Sequence, residues 1–374
     1  MITVEQVDTQ SEAQVRRFVN FPYRLYADHP HWLPPPYDTA ALYLNRQQHP
    51  FYHHSDADFF IAVRDGRDVA RLAVLENRPH NQANKTHEAW FYLFDGEDDL
   101  TATGLLFEHA ADWARARHLD KLEGPKGFTL LDGIGMLVEG FEYPQPSTMT
   151  SYNYDYYPRL LESLGFEGQD PLLSYHVEVA SFQLPAWIND IATWVQQHHD
   201  LTIQSFANLE EMLPWASHLL QMGQAMFSSV GAGSAEAADA AEMDAAVMIE
   251  LVVKAGLMPQ FTKLILHRTE VVGAVFGYAN LSTALRRTQG HLSLDDLFQE
   301  IQQARGVIIN GFGFLPNFRL QGLNAFLLVE LEKTARAMGI QTADLIQTSV
   351  PVQRDFATVG IQPRQKHRTY SLYL

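Results

Sequence analysis

A chain of 374 residues is longer than one ordinary hydrophobic core and fits two domains, and a hydrophobic content of 46% is that of a globular protein. Its 44 acidic against 27 basic residues leave a formal net charge of -17, which repels phosphate backbones and anionic lipid, so neither nucleic acid nor a membrane is an expected partner. There is no cysteine, which excludes disulfides, thiolate nucleophiles and cysteine-ligated zinc.

The opening Met1-Ile2-Thr3-Val4-Glu5 has no basic stretch leading into an apolar core, and no apolar run reaches membrane-spanning length, so the expected location is the cytoplasm. After twenty loosely alternating residues, the segment 21–37 carries His29-Pro30-His31-Trp32 and Pro34-Pro35-Pro36. Three prolines cannot continue a helix or an inner strand, so this segment predicts an ordered loop or lid rather than a core element. Strands follow at 59–63 and 68–75, joined by Asp65-Gly66, a hairpin signal. A third strand spans 90–94, and Asp95-Gly96-Glu97-Asp98-Asp99 supplies a turn and a helix N-cap. Leu105, Leu106, Ala110, Trp113 and Ala114 recur at helical spacing within 101–118. A strand at 121–124, a helix at 157–164 closed by Gly165 and a strand at 174–179 complete an α/β (α+β) order that predicts a first domain over residues 1–183.

Residues 184–374 repeat that order. A strand is expected at 201–206 and a helix at 209–227. The Ala/Gly/Ser-rich stretch 231–241 predicts a loop feeding a helix near 243–255. A hairpin joins 261–267 to 271–279, a strand spans 307–315, and an amphipathic helix at 322–338 ends in Gly339. A strand at 343–348, a short helix at 352–359 ending in Gly360, and a last strand at 368–374 close the chain. One order used twice at this scale means two tandem domains, each a mixed central sheet flanked by helices, and not a solenoid.

The chemistry concentrates where a buried strand turns into the long helix: Phe314-Leu315-Pro316-Asn317-Phe318-Arg319-Leu320-Gln321-Gly322-Leu323-Asn324-Ala325. A helix start aims unpaired backbone N–H groups at one point, and its dipole favours negative charge, which makes a cradle for pyrophosphate. Arg319 can add a charged donor, and Gly322 lets the backbone approach closely. The candidate cofactor-binding residues are therefore Phe314, Leu315, Arg319, Leu320, Gln321, Gly322, Leu323, Asn324 and Ala325.

Arg319 and Gly322 match the Gln/Arg-x-x-Gly-x-Gly/Ala pattern of the acetyl-CoA loop of the GNAT N-acetyltransferase superfamily, with Asn324 in place of the final small residue, and the segment resembles that loop. The segments Trp32-Leu33-Pro34-Pro35, Pro50-Phe51-Tyr52, Gly124-Pro125 and Tyr156-Tyr157-Pro158-Arg159-Leu160-Leu161 resemble uncharacterised bacterial tandem-GNAT proteins, so the resemblance covers nearly the whole chain. It implies an N-acyltransferase that uses acetyl-CoA or another acyl-CoA, needs no metal, and acts on the amine of a small molecule or peptide. The amine would attack the thioester directly, with strand amides near 312–315 polarising the carbonyl and a base taking the ammonium proton. Asp344, Glu270, Tyr278 and His267 are candidate bases, and the sequence singles out none of them.

The family often places a proton-donating tyrosine four residues before the Gly-Phe of its last helix; Phe356 and Leu161 occupy that position here. In the first half, Asp95, Glu97, Asp98 and Asp99 stand where the phosphate loop belongs and would repel a pyrophosphate. The expectation is a first domain degenerate for CoA, serving as scaffold or acceptor-site wall, and a working second domain. The same departures leave open a catalytically inactive tandem-GNAT pair acting as a ligand-binding or interaction module.

Other constellations carry less. His49, His53 and His54 with Asp56 and Asp58 have metal-ligand chemistry, but adjacent His53 and His54 point apart on any regular element, so they read as polar loop residues. Tyr152, Tyr154, Tyr156 and Tyr157 read as core between domains in preference to an apolar acceptor pocket. There is no Gly-x-Ser-x-Gly elbow, Walker lysine loop or dinucleotide glycine fingerprint.

Overall fold

The computed structural model describes residues 1–129, 131–227, 252–319, 321–348 and 356–374. In chain order these form β1 (Ile2–Gln6), α1 (Glu12–Leu25), α2 (Tyr37–Leu42), β2 (Asp56–Arg64), β3 (Arg67–Glu76), α3 (Arg78–Asn84), β4 (Glu88–Gly96), α4 (Leu100–Arg115), β5 (Lys121–Gly124), β6 (Met136–Glu139), α5 (Tyr157–Ser163), β7 (Glu167–Gly168) and β8 (Leu172–Glu178). The chain continues with α6 (Ala186–His198), β9 (Leu201–Ser205), α7 (Leu209–Met212), α8 (Ala216–Phe227), β10 (Lys263–His267), β11 (Glu270–Ala279), α9 (Ser282–Thr288), α10 (Leu294–Gln303), β12 (Gly306–Phe314), α11 (Leu323–Ala337), β13 (Thr342–Thr348), β14 (Pro363–Arg368) and β15 (Tyr370–Tyr373). The loop expected at 231–241 lies outside the described residues, as do 243–251 of the helix that follows it and 352–355 of the short helix near the end.

Local signals act where the sequence places them. Asp65 and Gly66 both take left-handed backbone, at φ 49° and 81°, as the tight hairpin between β2 and β3 requires. Asp99 caps α4, its Oδ1 accepting from the backbone N–H groups of Thr101 and Ala102 at 3.1 Å. The loop or lid expected over 21–37 is overturned in its first part, because residues 21–25 are the last turn of α1. Pro22 lacks the N–H that would bond the Phe18 carbonyl, a loss that ordinarily breaks a helix. Arg71 donates to that carbonyl instead, at 2.9 Å, with its guanidinium 4.8 Å from the Phe18 ring centre. Downstream, Tyr26, Trp32 and Leu33 are buried, so this segment contributes to the core.

The described residues form two compact units, one of residues 1–172, 282–292 and 365–374, the other of residues 173–281 and 293–364. The first unit has a sheet in the order β1-β2-β3-β4-β5-β15-β7, with β4 and β5 parallel. Phe91, Leu106, Phe107, Ala110, Tyr157 and Leu161 fill the core on its α4–α5 face, and Phe18, Phe51, Phe59 and Phe128 fill the α1 face. In the second unit the order is β9-β10-β11-β12-β13-β8, with β12 and β13 parallel. Val307, Ile309, Leu345, Tyr175 and Val177 pack there against α6, α11, Phe356 and Val359. Each unit is thus a mixed sheet flanked by helices.

The closing strands are not where the linear order puts them. β8, expected to finish the first half, pairs antiparallel with β13 in the second unit. β15, the last strand of the chain, pairs antiparallel with β5 in the first. Each unit therefore draws residues from both sides of position 183. No described helix is long and apolar enough to cross a membrane.

Candidate active site

The site begins with a fork in the second unit's sheet. β12 and β13 run in parallel register from Gly306↔Thr342 to Ile309↔Leu345 and then part. The cause is a bulge: Asn310 and Gly311 together face Phe276, between the pairs Gly277↔Ile309 and Val275↔Phe312, and Gly311 takes a φ of 83°. An extra residue bends the strand and adds twist. Beyond it, β12 stays paired with β11 as far as Phe314↔Gly273, and β13 pairs with β8 as far as Thr348↔Leu173. Val307 to Ile309 are buried, whereas residues 310–314 are only half-buried. The wedge has two strand edges no longer bonded to each other, which suits an extended ligand rich in amides.

The candidate loop follows from the wedge. Phe314 ends β12, lying edge-on to Phe312 with centroids 5.6 Å apart, and the Leu315 N–H donates to the Val272 carbonyl at 2.9 Å. Pro316–Phe318 form one 3-10 turn. Arg319 is exposed, its Nε donating to the Phe314 carbonyl at 3.3 Å, and the Gln321 side chain donates to the Asn317 carbonyl at 2.7 Å. Leu320 lies outside the described residues. Gly322 is the N-cap of α11 at φ 78°, with no side-chain cap, and Ala325 N–H reaches its carbonyl at 3.0 Å. Leu323 and Ala325 are buried and Asn324 is half-buried in the first turn. A Cβ at position 322 would sit 2.9 Å from an Ile191 methyl and 3.0 Å from a Val195 methyl, so the surface that approaches this glycine is helix α6.

The first unit repeats the device and closes it. β4 and β5 are parallel from Glu88↔Lys121 to Trp90↔Glu123 and then part. Leu93 (φ 51°) and Phe94 together face Leu72, making the same bulge. Here the strand end is covered: Phe94, Asp95 and Gly96 are all buried. The Gly96 N–H donates to the Tyr157 hydroxyl at 2.6 Å, and the Tyr156 hydroxyl donates to the Gly96 carbonyl at 2.8 Å. Tyr157 and Tyr26 share a hydrogen bond of 3.0 Å, Tyr26 donates to Asp95 at 3.0 Å, and Arg71 pairs with Asp95 at 2.7 Å. Burial drives the Tyr26 and Tyr157 phenols well above their ordinary range, so both hydroxyls stay protonated. Tyr152 and Tyr157, expected to be core between domains, are instead buried within this unit, and half-buried Tyr154 and Tyr156 pack against its core, with Trp32, Tyr26, Tyr154 and Tyr156 stacked in succession.

The four carboxylates of this loop are not a free negative field. Glu97 pairs with Arg67 at 2.7 Å, Asp98 with Arg159 at 2.6 Å, and Asp99 with Arg64. In this loop protein side chains hold both the strand amide and the helix start.

Among the proposed bases, Asp344 is buried on β13 and accepts from Asn280 Nδ2 at 3.3 Å; its other oxygen lies 2.6 Å from His176 Nδ1. His176 Nε2 is 2.9 Å from Glu178. The bond to Asp344 raises the His176 pKa above 6.5 despite the opposing effect of burial. Tyr278 on β11 donates to the Asn310 carbonyl in the bulge at 3.4 Å. Glu270 is exposed at the turn between β10 and β11, and the His267 ring packs 5.4 Å from Phe318. Sequence reasoning missed His176, because its partner lies 168 residues away on a strand whose neighbour is set only by the tertiary fold. Among the described residues no three His, Cys, Asp or Glu side chains converge to hold a metal ion. Asp56 and Asp58 turn to Arg46, each at 2.6 Å, and the His54 ring meets Ser55 Oγ at 2.6 Å.

No protein-family model matches the chain. It is 28% identical over 173 residues to a bacterial ceramide synthase of Caulobacter vibrioides, covering 46% of this chain and 45% of that protein. It is 27% identical over 169 residues to protein YghO of Escherichia coli, covering 44% and 42%. The match thus spans less than half the length of these curated relatives. Among solved structures, a tandem GNAT protein from the clavulanic acid biosynthesis pathway superposes with a TM-score of 0.56 at 11% identity, over 100% of this chain and 98% of that one. A GCN5-related N-acetyltransferase from Sphaerobacter thermophilus gives 0.51 at 12% identity over 100% and 95%. A glucosamine N-acetyltransferase region of a fungal multi-domain beta-N-acetylglucosaminidase gives 0.57 at 11% identity over 100% and 38%. With two bulged, parted parallel pairs and end-to-end likeness to a tandem GNAT protein, the chain has the tandem GNAT fold.

Proposed function

We propose that the chain is an N-acyltransferase that takes an acetyl or other acyl group from CoA to the amine of a small molecule or peptide, and that its second unit holds the cosubstrate. One contrast carries the reading. The end of β12 is half-buried and the N-cap of α11 is Gly322, which has no side chain to cap with, whereas the matching amide and helix start of the first unit are taken by Tyr157 and Asp99. A helix that starts at a glycine offers the positive end of its dipole to a pyrophosphate. The end of β12 beyond the fork, at residues 312–314, runs where the amides of the pantetheine arm would need backbone partners. In this reading Arg319 leaves the Phe314 carbonyl for a phosphate, and Phe314, Leu315, Gln321, Gly322, Leu323, Asn324 and Ala325 line the arm and the phosphates. The first half serves as scaffold, and the reaction runs in the cytoplasm, where acyl-CoA is drawn on. A ceramide is the amide of a long-chain amino alcohol, so the name of the Caulobacter relative supports transfer to an amine nitrogen.

The test is a calorimetric titration of acetyl-CoA and palmitoyl-CoA against the wild type and two matched variants. Position 324 in the first turn of α11 corresponds to Thr101 in the first turn of α4, both one residue past the first helical residue. The wild type should bind one of the two with a Kd of about 1–10 μM, roughly -7 to -8 kcal/mol. Asn324→Glu sets a carboxylate against the pyrophosphate, worth on the order of 1 kcal/mol or more after screening, and should weaken binding about tenfold. Thr101→Glu should leave it unchanged. Equal loss in both variants would move the site to the wrong half, and no binding at millimolar ligand would sink the transferase reading in favour of an inactive module. The glycines are poorer probes, because a Cβ at Gly322 or Gly96 meets packed neighbours at 2.9 Å.

A further inference from the structure

We propose that His176, oriented by Asp344, is the catalytic residue that takes the proton from the acceptor amine; this rests on reading the second unit as an N-acyltransferase. Tyr175, Val177, Val307, Ile309 and Leu345 face the core shared with α6 and α11. Side chains alternate along a strand, so His176, Ile308 and Asp344 lie on the opposite face of the sheet. The helix assigned to the pyrophosphate is on the core face, so a cosubstrate entering the wedge from there leaves its thioester open to attack from the face that bears His176. Asp344 pairs with Ile308, one pair before the last, which sets it about 3–7 Å along the strands from the fork.

Asn280, Asp344, His176 and Glu178 form one line across that face. Asp344 is buried with both oxygens engaged, which suits a positioning residue. His176 keeps 15% of its side chain exposed and Glu178 keeps 63%, so the line runs from the interior to solvent. The two carboxylates address opposite nitrogens of one ring and cannot share a metal ion.

The position on β5 that matches Asp344 is Glu123, opposite Trp90, and it is held by Lys121 at 2.5 Å and Lys126 at 2.7 Å. Its neighbour on β15 is Ser371, where β8 has His176. The histidine–carboxylate pair thus accompanies the open fork and is absent from the closed one.

In the step itself, exposed Glu178 moves aside and the neutral imidazole Nε2 takes one proton from the ammonium, while Asp344 holds the Nδ1–H. The freed amine attacks the thioester carbon, the C–N bond forms and the C–S bond breaks. The second nitrogen-bound proton goes to the departing thiolate, and the first leaves His176 for water by way of Glu178. Ammonium and acyl-CoA give amide, free thiol and one proton. Asp344 and Glu178 raise the basicity of His176, while Arg364 and burial oppose them, and the net direction is upward. The rate should therefore climb with pH through a midpoint above 6.5 and level off.

The experiment measures thiol release from acetyl-CoA and palmitoyl-CoA with dodecylamine and sphinganine as acceptors, across pH, for the wild type, His176→Gln and Asp344→Asn. His176→Gln should lower kcat about 100-fold or more with the Kd for acyl-CoA kept within about twofold, and its residual rate should lose the levelling-off and keep rising with pH as the free-amine fraction grows. Asp344→Asn should shift that limb to lower pH. An active wild type with an equally active, equally pH-dependent His176→Gln would overturn this assignment alone. A wild type that binds acyl-CoA but acylates neither amine would overturn the transferase reading and this assignment with it.

Discussion

His367 offers a test of the packing that does not depend on any ligand. It lies on β14 opposite Leu137 of β6 and is fully buried. Its Nε2–H donates to the Ser151 carbonyl at 2.9 Å, and among the described residues its Nδ1 has no hydrogen-bond partner. Nearby, the Asn153 side chain accepts from the Leu137 N–H at 2.8 Å and donates to the Leu137 carbonyl at 3.1 Å, so the ring seals a backbone-pinned loop. A second proton on this ring would place an unpaired charge in the interior, and burial lowers its pKa from 6.5 to about 4. The unfolded chain therefore binds this proton near pH 6.5, while the folded protein refuses it until about pH 4. Because the unfolded state carries more protons across that window, stability falls as pH falls through it and is fully present above it. At about 1.4 kcal/mol per pH unit, the gap amounts to about 3 kcal/mol. His367→Gln keeps a donor for Ser151 and does not titrate. Urea unfolding of both proteins should show the wild type losing about 3 kcal/mol more than the variant between about pH 7 and pH 4. Parallel stability curves, or an imidazole NMR titration of His367 near 6.5, would mean that burial does not keep this ring neutral.

Three further outcomes follow from the loops at the two forks. Tyr157→Phe strips the Gly96 N–H and the Tyr26 hydroxyl of a buried partner and should cost about 1–3 kcal/mol in chemical denaturation, with CoA affinity unchanged. Asp99→Ala removes the α4 N-cap and should cost about 1 kcal/mol, with faster amide exchange confined to the first turn of that helix. Gly322→Ala forces a side chain into left-handed backbone against Ile191 and Val195 and should cost about 2–4 kcal/mol by thermal unfolding; a neutral result would show that α6 gives way.

The local grammar of the chain was legible in its residues. Asp65-Gly66 made the hairpin, Asp99 capped its helix, and Gly165 and Gly339 took the left-handed backbone that ends α5 and α11. The strand-turn-helix at 314–325 and the duplicated element order could be read because periodicity, turns and caps are written within windows of a few residues. Four matters were settled only by the tertiary structure. Pro22 sits inside a helix because Arg71, far along the chain, takes up the carbonyl it orphans. The bulge of the first fork falls on Leu93, a residue with no intrinsic preference for positive φ, held there by the strands on either side. His176 meets Asp344, and α6 meets Gly322, across separations no local pattern encodes. Most of all, β8 and β15 read alike as closing strands, yet each joins the other half's sheet. A strand's own residues specify its alternation and its open hydrogen bonds, and which edge satisfies them is decided by the fold that presents that edge.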